Sequence, residues 1–390
     1  MLVADQELCT GCGACVQACP TKCISWAEGE LGFLYPVADE SKCIECGRCH
    51  QVCPIDKPLR INKDQSIYAA VNKNADVLDQ STSGGVFSIL AEHILNTGGI
   101  VYGCEFDESL NAHHVRVGDA ASIEKLRGAK YVQSNTEHTF AQAKKDLEDG
   151  MAVLFSGTPC QIAGLYAFLG KEYENLFTVD LVCHGVASQA YFKKFLEYIE
   201  SETGPVTAIS FRDKSVGGWS CNGSKTVIRD GVLRKLPLYN HNNYYYHYYL
   251  QGEIYRKSCY TCRYACLVRQ ADITLGDYWG AEKFIKTLNC KAGCSLVMIN
   301  NKRGDALWEE SKNDVDYVRT SPEEAVCKNR QLKAPSQLPP SRKTRTDEYV
   351  NLSGKEIQSV FLKTNALGFI KGSLKTIVPT PVKSFIKRFI

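Results

Sequence analysis

The sequence predicts two structural units: a small α+β unit organised around cysteines, and a larger α/β unit with a mixed sheet. Three observations carry this. Two similar runs, LCTGCGACVQACPT and KCIECGRCHQVCPI, lie within residues 8–55. Beyond about Asn62 cysteines thin out, and short apolar runs alternate with segments of helical period. At 390 residues the chain is also too long for one compact core, since domains usually run to roughly 100–150 residues.

In chain order, GELGFLYPVAD between the two runs reads as a hairpin. SIYAAVN is a strand, and GGVFSILAEHILNTGG a helix closed by a glycine pair. IVYGCEFD and HHVRVGD continue as strands. After Gly150 strand and helix alternate: AVLFSG, PCQIAGLYAFLG, FTVDLVCHG, QAYFKKFLEYIESETG. AISFRDK and KTVIRDGVLRKLPL are more β-like, NYYYHYYLQG is helical, and QLKAPSQLPPSRKTRTDE reads as a Pro-rich polar linker. The expected divisions are 1–60, 65–150, 151–330 and a basic tail, 331–390.

Composition narrows the function classes. A formal net charge of +3 lacks the dense basic stripe of a nucleic-acid binder. The first residues show neither a signal peptide nor a transit sequence, and no apolar run approaches the roughly 20 residues of a membrane span. A soluble cytosolic protein is expected, and in that reducing compartment nineteen cysteines point to thiolate ligands rather than disulfides. From Ser321 onward thirteen Lys or Arg face five Asp or Glu. The tail is expected to fold onto the protein's own surface, with peripheral membrane contact as the alternative.

Cys9, Cys12, Cys15 and Cys19, then Pro20, repeat as Cys43, Cys46, Cys49 and Cys53, then Pro54. In such two-cluster runs three closely spaced thiolates hold one face of a 4Fe-4S cubane and the fourth cysteine serves the other cluster. This assigns Cys9, Cys12, Cys15 and Cys53 to one cluster, and Cys43, Cys46, Cys49 and Cys19 to the other. Gly11, Gly13 and Gly47 let the loops turn tightly. Structural zinc would show paired C-x-x-C without the trailing proline. Cys23 is expected to pack beside the second set.

Cys160 follows the strand AVLFSG and Cys183 follows FTVDL, at carboxyl ends where α/β sheets bind ligands. With Cys259 and Cys262 of SCYTC they compose a third four-thiolate site; zinc, and a set using Cys266, stay as alternatives. Cys104, Cys221, Cys290, Cys294 and Cys327 are read as ordinary thiols. STSGGVFS places small residues at a helix start, where a phosphate would be stabilised, or where a glycine turn simply caps. Asp277, Tyr278 and Trp279, flanked by glycines, suit a wall for a planar ligand or a turn. His113, His114 and His241 are expected in satisfied core or surface roles.

Taken together, STSGGVFS, LRGAKYVQS, SGTPCQIAG, DLVCHGVAS, SFRDKSVGGW, SCYTCRY and RQADITLGDYWG resemble, in this order, the coenzyme F420 hydrogenase/dehydrogenase beta-subunit family. The form resembled is the one with a fused N-terminal two-cluster ferredoxin domain. The resemblance implies an α+β ferredoxin-like two-cluster domain fused to an α/β mixed-sheet flavin-binding domain, with FAD beside a third 4Fe-4S cluster. It implies that Ser83, Gly84 and Gly85 approach flavin phosphate and that Lys130 and Tyr131 line the flavin. The expected function is an iron-sulfur flavin oxidoreductase acting on a small-molecule or deazaflavin-type substrate; the alternative is a non-catalytic subunit relaying electrons to a partner enzyme. The expected partner is a redox protein such as ferredoxin or an oxidoreductase subunit. The ferredoxin fusion departs from the family's archetype, so the substrate does not carry over with the fold.

Overall fold

The computed structural model describes residues 4–61 and 65–366, with 368 and 372. The N-terminal unit is a two-stranded antiparallel hairpin, β1 (Ile24–Glu28) and β2 (Leu34–Ala38), with a short helix on either side, Ala14–Ala18 and Arg48–Gln51. GELG forms the turn rather than an arm.

The larger unit is built on an eight-stranded mixed sheet. Its strands are β3 (Ser66–Asn72), β4 (Ile100–Phe106), β5 (Ala112–Val117), β6 (Val153–Gly157) and β7 (Leu176–Leu181), then β11 (Ile273–Asp277), β12 (Ser295–Ile299) and β13 (Val315–Thr320). Between them β8 (Val206–Ser210), β9 (Gly223–Arg229) and β10 (Val232–Leu238) make a separate three-stranded antiparallel sheet. The large sheet runs β13-β3-β12-β11-β7-β6-β4-β5. Its centre is parallel, β11 to β7 to β6 to β4, and antiparallel strands close both edges. Strands from 65–150 and 151–330 thus share one sheet, so these stretches form one unit.

The parallel strands are largely apolar and mostly buried, as crossovers covering both faces require, with Thr178, Asp180 and Thr274 as buried polar exceptions. The helix Val86–Asn96 packs Val86, Leu90 and Ile94 against one face. On the other, the helix Pro159–Leu169 packs Ile162 and Leu165. Its start is set by a reciprocal cap between Thr158 and Gln161, with Pro159 in the first turn. A second core is aromatic: Tyr244, Tyr245, Tyr246 and Tyr248 of the helix Tyr244–Leu250 pack on Tyr191, Phe192 and Phe195 of the helix Gln189–Thr203.

The tail departs from the linker reading. Arg342–Asn351 and Gly354–Thr364 are helices folded onto the body. Tyr349 stacks on Tyr191 at 5.4 Å, and Ile357 and Phe361 are fully buried in the aromatic core. The lysine-rich stretch from 369 onward lies outside the described residues apart from Gly372. Among the described residues no helix is long and apolar enough to cross a membrane.

His114 is a satisfied core residue: Nδ1 meets Ser134 Oγ at 3.0 Å and Nε2 meets the Ser156 carbonyl at 2.9 Å. Burial drops its pKa to about 4.

Candidate metal centres

Gly13 at φ 82° and Gly47 at φ 69° begin the two short helices of the N-terminal unit, and Gly11 is also left-handed at φ 67°. These turns fold each cysteine run back on itself. Cys9, Cys12, Cys15 and Cys53 line one small cavity. The fourth residue comes from the second run, the exchange expected of a two-cluster arrangement. Of the other set, Cys43 and Cys46 are exposed while Cys49 and Cys19 are half-buried. Cys49 neighbours Cys53 and Cys15, so the two sets adjoin. Cys23 packs with its sulfur 3.4 Å from that of Cys19.

The inner set is buried and crowded. Burial, then neighbouring sulfurs, push Cys15 up to about 12 and Cys12 higher still. Thiols packed this way resist ionisation unless positive charge arrives with the metal. One cation already stands there. Arg256, 1% exposed, donates from Nε to the Cys9 carbonyl at 2.7 Å and from Nη2 to the Leu34 carbonyl at 2.9 Å, with Nη2 3.7 Å from Cys9 Sγ. It lies over the Tyr35 ring at 4.2 Å, and among the described residues no carboxylate pairs with it. Gln133 bridges Arg256 Nη1 to the Thr10 carbonyl, and Thr136 donates to the Cys12 carbonyl at 2.9 Å. The cysteine loop is thereby bolted to the larger unit.

Cys160 stands in the first turn of the helix Pro159–Leu169, just past β6, with Thr158 Oγ1 3.1 Å from its sulfur. Cys183 lies two residues past β7, and the turn Lys257–Cys259 brings Cys259 with Cys262 following. The four lie near enough to act on one another. Burial, then Cys259, Cys160 and Cys262, hold Cys183 well above the usual thiol range. Burial, then Cys262 and Cys160, push Cys259 up to about 12, and burial, then Cys160, push Cys262 up to about 11. Cys266 stands apart, its thiol directed at the Arg263 and Val268 carbonyls.

Among the described residues no three His, Cys, Asp or Glu side chains converge on a single ion. In a cubane each thiolate binds a different iron corner, so its four ligands need not converge on one ion.

The inner ferredoxin set and the third set adjoin. Cys160 is among the sulfurs that act on Cys12, and Tyr264 lies among Cys160, Cys12 and Cys262. Gly164 permits the approach: a Cβ there would sit 2.9 Å from both Cβ and Sγ of Cys12.

The residues expected around a flavin are scattered in role. Ser83 Oγ donates to the Cys294 carbonyl at 2.7 Å, and the Gly84 N–H donates to Ser295 Oγ at 3.0 Å. A Cβ at Gly84 would meet the Ala70 carbonyl at 2.2 Å, so packing against β3 already demands glycine. Gly85, at φ 78°, caps the helix Val86–Asn96. Lys130 Nζ donates to the carbonyls of Lys125 and Arg127. Tyr131 stacks on Tyr249 at 4.5 Å. Asp277 accepts from Arg212 Nη1 at 2.6 Å and from Trp219 Nε1 at 2.9 Å, and Trp219 stacks on Trp279 at 4.6 Å. Tyr278, expected in a ligand wall, is instead fully buried with its hydroxyl on Thr320, because it follows β11 on the packed side of the sheet.

Beside Lys130 a cleft of about 160 Å³ is lined by Gln80, Phe106, Arg127, Gly128 and Ser210. That falls short of the roughly 300–1,000 Å³ of small-molecule sites. Sequence alone does not single out Arg256, Arg212 and Trp219. The last two lie in SFRDKSVGGW, a motif that signalled their region but not their pairing with Asp277.

Two ferredoxin-type cysteine sets docked on a mixed α/β sheet define an iron-sulfur electron-transfer protein. Residues 8–57 match the 4Fe-4S dicluster domain, and residues 150–325 match the C-terminal part of the beta subunit of coenzyme F420 hydrogenase/dehydrogenase. The chain thus carries a dicluster match followed by a match to the C-terminal part of that beta subunit, as its motifs led one to expect. No curated protein matches the sequence. Among solved structures, a chain from the xenon-derivatised F420-reducing [NiFe] hydrogenase complex of Methanosarcina barkeri is similar. It is 16% identical, with 78% of this chain and 93% of that chain covered and a TM-score of 0.43.

Proposed function

We propose that the chain is a flavin-dependent iron-sulfur oxidoreductase with three 4Fe-4S clusters, which passes electrons between a redox partner and a small-molecule or deazaflavin-type substrate. The observation that carries this reading is the close approach of the Cys160 helix to Cys12, where a Cβ at Gly164 would sit 2.9 Å from Cys12, so that the ferredoxin region lies against the buried cysteines of the beta-subunit region. A chain of cofactors needs such adjacency; a structural staple does not.

The residues divide the work. Cys43, Cys46, Cys49 and Cys19 hold the surface cluster, with Ile44, 63% exposed, beside it for a partner such as a ferredoxin or another oxidoreductase. Cys9, Cys12, Cys15 and Cys53 hold the inner cluster, which Arg256 positions. Cys160, Cys183, Cys259 and Cys262 hold the third. Ser83, Gly84, Gly85, Lys130, Tyr131, Asp277 and Trp279 are the candidate surroundings of FAD; a bound flavin supplies the exchange between two-electron and one-electron steps. Arg212 and Trp219 fix the Asp277 carboxylate there.

The test is iron, acid-labile sulfide and released flavin per chain on protein purified without oxygen, for the wild type and Cys259→Ala. About twelve irons and one flavin are expected, at four irons per cubane, falling to about eight in the variant. Eight irons in both would remove the third cluster from the reading.

A second reading, a relay subunit without its own substrate, draws on the narrow cleft at Lys130 and on the internal pairing of Asp277. Twelve irons with no flavin in the freshly purified protein would favour it.

A further inference from the structure

Cys290 and Cys294 lie outside the three cysteine sets, and the fold brings them together. The turn between them, closed by the Gly293 N–H donating to the Cys290 carbonyl at 3.2 Å with Gly293 at φ 125°, brings the two residues into one buried cluster, where their thiols act on each other. Cys294 is fully buried at the start of β12, and Cys290 is 8% exposed beneath a surface stretch in which Lys286, Thr287, Asn289 and Lys291 reach solvent. Cys290 is the nearer to the surface and Cys294 the deeper of the two. That is the layout of an attacking and a resolving thiol.

We propose that Cys290 and Cys294 form a reversible dithiol–disulfide redox site that exchanges with low-molecular-weight disulfides. Cys290 attacks one sulfur of the small disulfide, forming a mixed disulfide and releasing one small thiol. Cys294 then gives up its proton and attacks the Cys290 sulfur, and the second small thiol leaves. Two protein thiols are oxidised, one small disulfide is reduced to two thiols, and the reverse sequence restores the dithiol. The layout favours this order, because the pairing of the two thiols lowers the pKa of Cys290, the more exposed of the two, while the same pairing and burial raise that of Cys294.

The site is wired to its surroundings. The Cys294 carbonyl accepts from the Tyr278 N–H at 2.8 Å and from Ser83 Oγ at 2.7 Å. A Cβ on Gly293 would press on the Ser83 carbonyl at 2.5 Å. Closing the disulfide therefore tightens a turn on which the Ser83–Gly85 segment rests.

The experiment uses anaerobically purified holoprotein equilibrated in buffers of reduced and oxidised glutathione, quenched with an alkylating reagent and digested with trypsin. Cleavage at Lys286, Lys291 and Lys302 separates TLNCK from AGCSLVMINNK, so an internal disulfide joins two peptides. The linked pair is expected to accumulate as the glutathione becomes oxidised, with loss of alkylation at both cysteines together, no loss of iron, and full return on adding dithiothreitol. Cys290→Ser and Cys294→Ser are each expected to abolish it. Alkylation of both cysteines undiminished across the series, including a final treatment with diamide, overturns the proposal. So does Cys290 recovered only as a glutathione adduct with Cys294 free.

Discussion

Replacing Arg256 with methionine takes a buried positive charge away from a site 3.7 Å from the Cys9 sulfur while keeping most of the side chain's bulk. If the inner four cysteines hold a cluster, that charge stabilises each electron added to it. At roughly 6 Å from the cluster centre and an effective dielectric constant of about 20, Coulomb's law gives about 3 kcal/mol. For one electron, about 59 mV corresponds to 1.4 kcal/mol, so the midpoint potential of the inner cluster is expected to fall by about 120 mV. An anaerobic titration followed by electron paramagnetic resonance reads this directly. Arg256→Lys separates charge from anchoring, because it keeps the cation but not the fork that grips the Cys9 and Leu34 carbonyls. It is expected to recover most of the potential. An Arg256→Met protein with its full iron and an unchanged or raised inner potential would refute the reasoning.

Gly164→Ala tests the contact between the units. In an ordinary helix the change would stabilise by up to about 1 kcal/mol, but here the methyl would overlap Cys12. About four irons per chain are expected to be lost, and a full complement with raised stability would show that the loop yields freely. His114 gives the fold a pH dependence of defined sign. Burial holds its pKa near 4, against about 6.5 in the unfolded chain, so the unfolded state takes up a proton first as the pH falls. Stability is expected to decline from about pH 7 toward pH 4 by up to about 3 kcal/mol from this group. His114→Gln should flatten that part of a urea midpoint-versus-pH curve, and an unaltered slope would assign the effect elsewhere.

Periodicity made much of this architecture legible. SIYAAVN is β3 residue for residue, the helix Val86–Asn96 falls within its marked segment, and Asp230 and Gly231 both take positive φ at the turn joining β9 to β10. The dicluster domain was equally readable, because the spacing of its cysteines is local. What escaped depends on contacts between distant residues. Nothing around Arg256 marks it as the partner of a loop some 250 residues earlier, since one arginine has no period. The helix Arg342–Asn351 looked like linker because its own sequence is polar. It is held by Arg342 to Glu30 at 3.2 Å, Arg345 to Glu253 at 2.7 Å and Tyr349 on Tyr191. The buried position of Tyr278 was not legible, because a glycine-flanked aromatic pair does not reveal which ring turns inward.

The bolts that hold the Cys9 loop have a bearing on biosynthesis. Arg256 and Ser258, both hydrogen-bonded to the Cys9 carbonyl, are polymerised 247 and 249 residues after it. At about 5–20 residues per second, the ribosome takes roughly 12–50 s to reach them. Throughout that interval the cysteine-rich segment has emerged without its docking surface, its thiols open to solvent. Metal delivery and oxidative damage compete during this window, so the yield of loaded protein should depend on the rate of translation as well as on the supply of iron and sulfide.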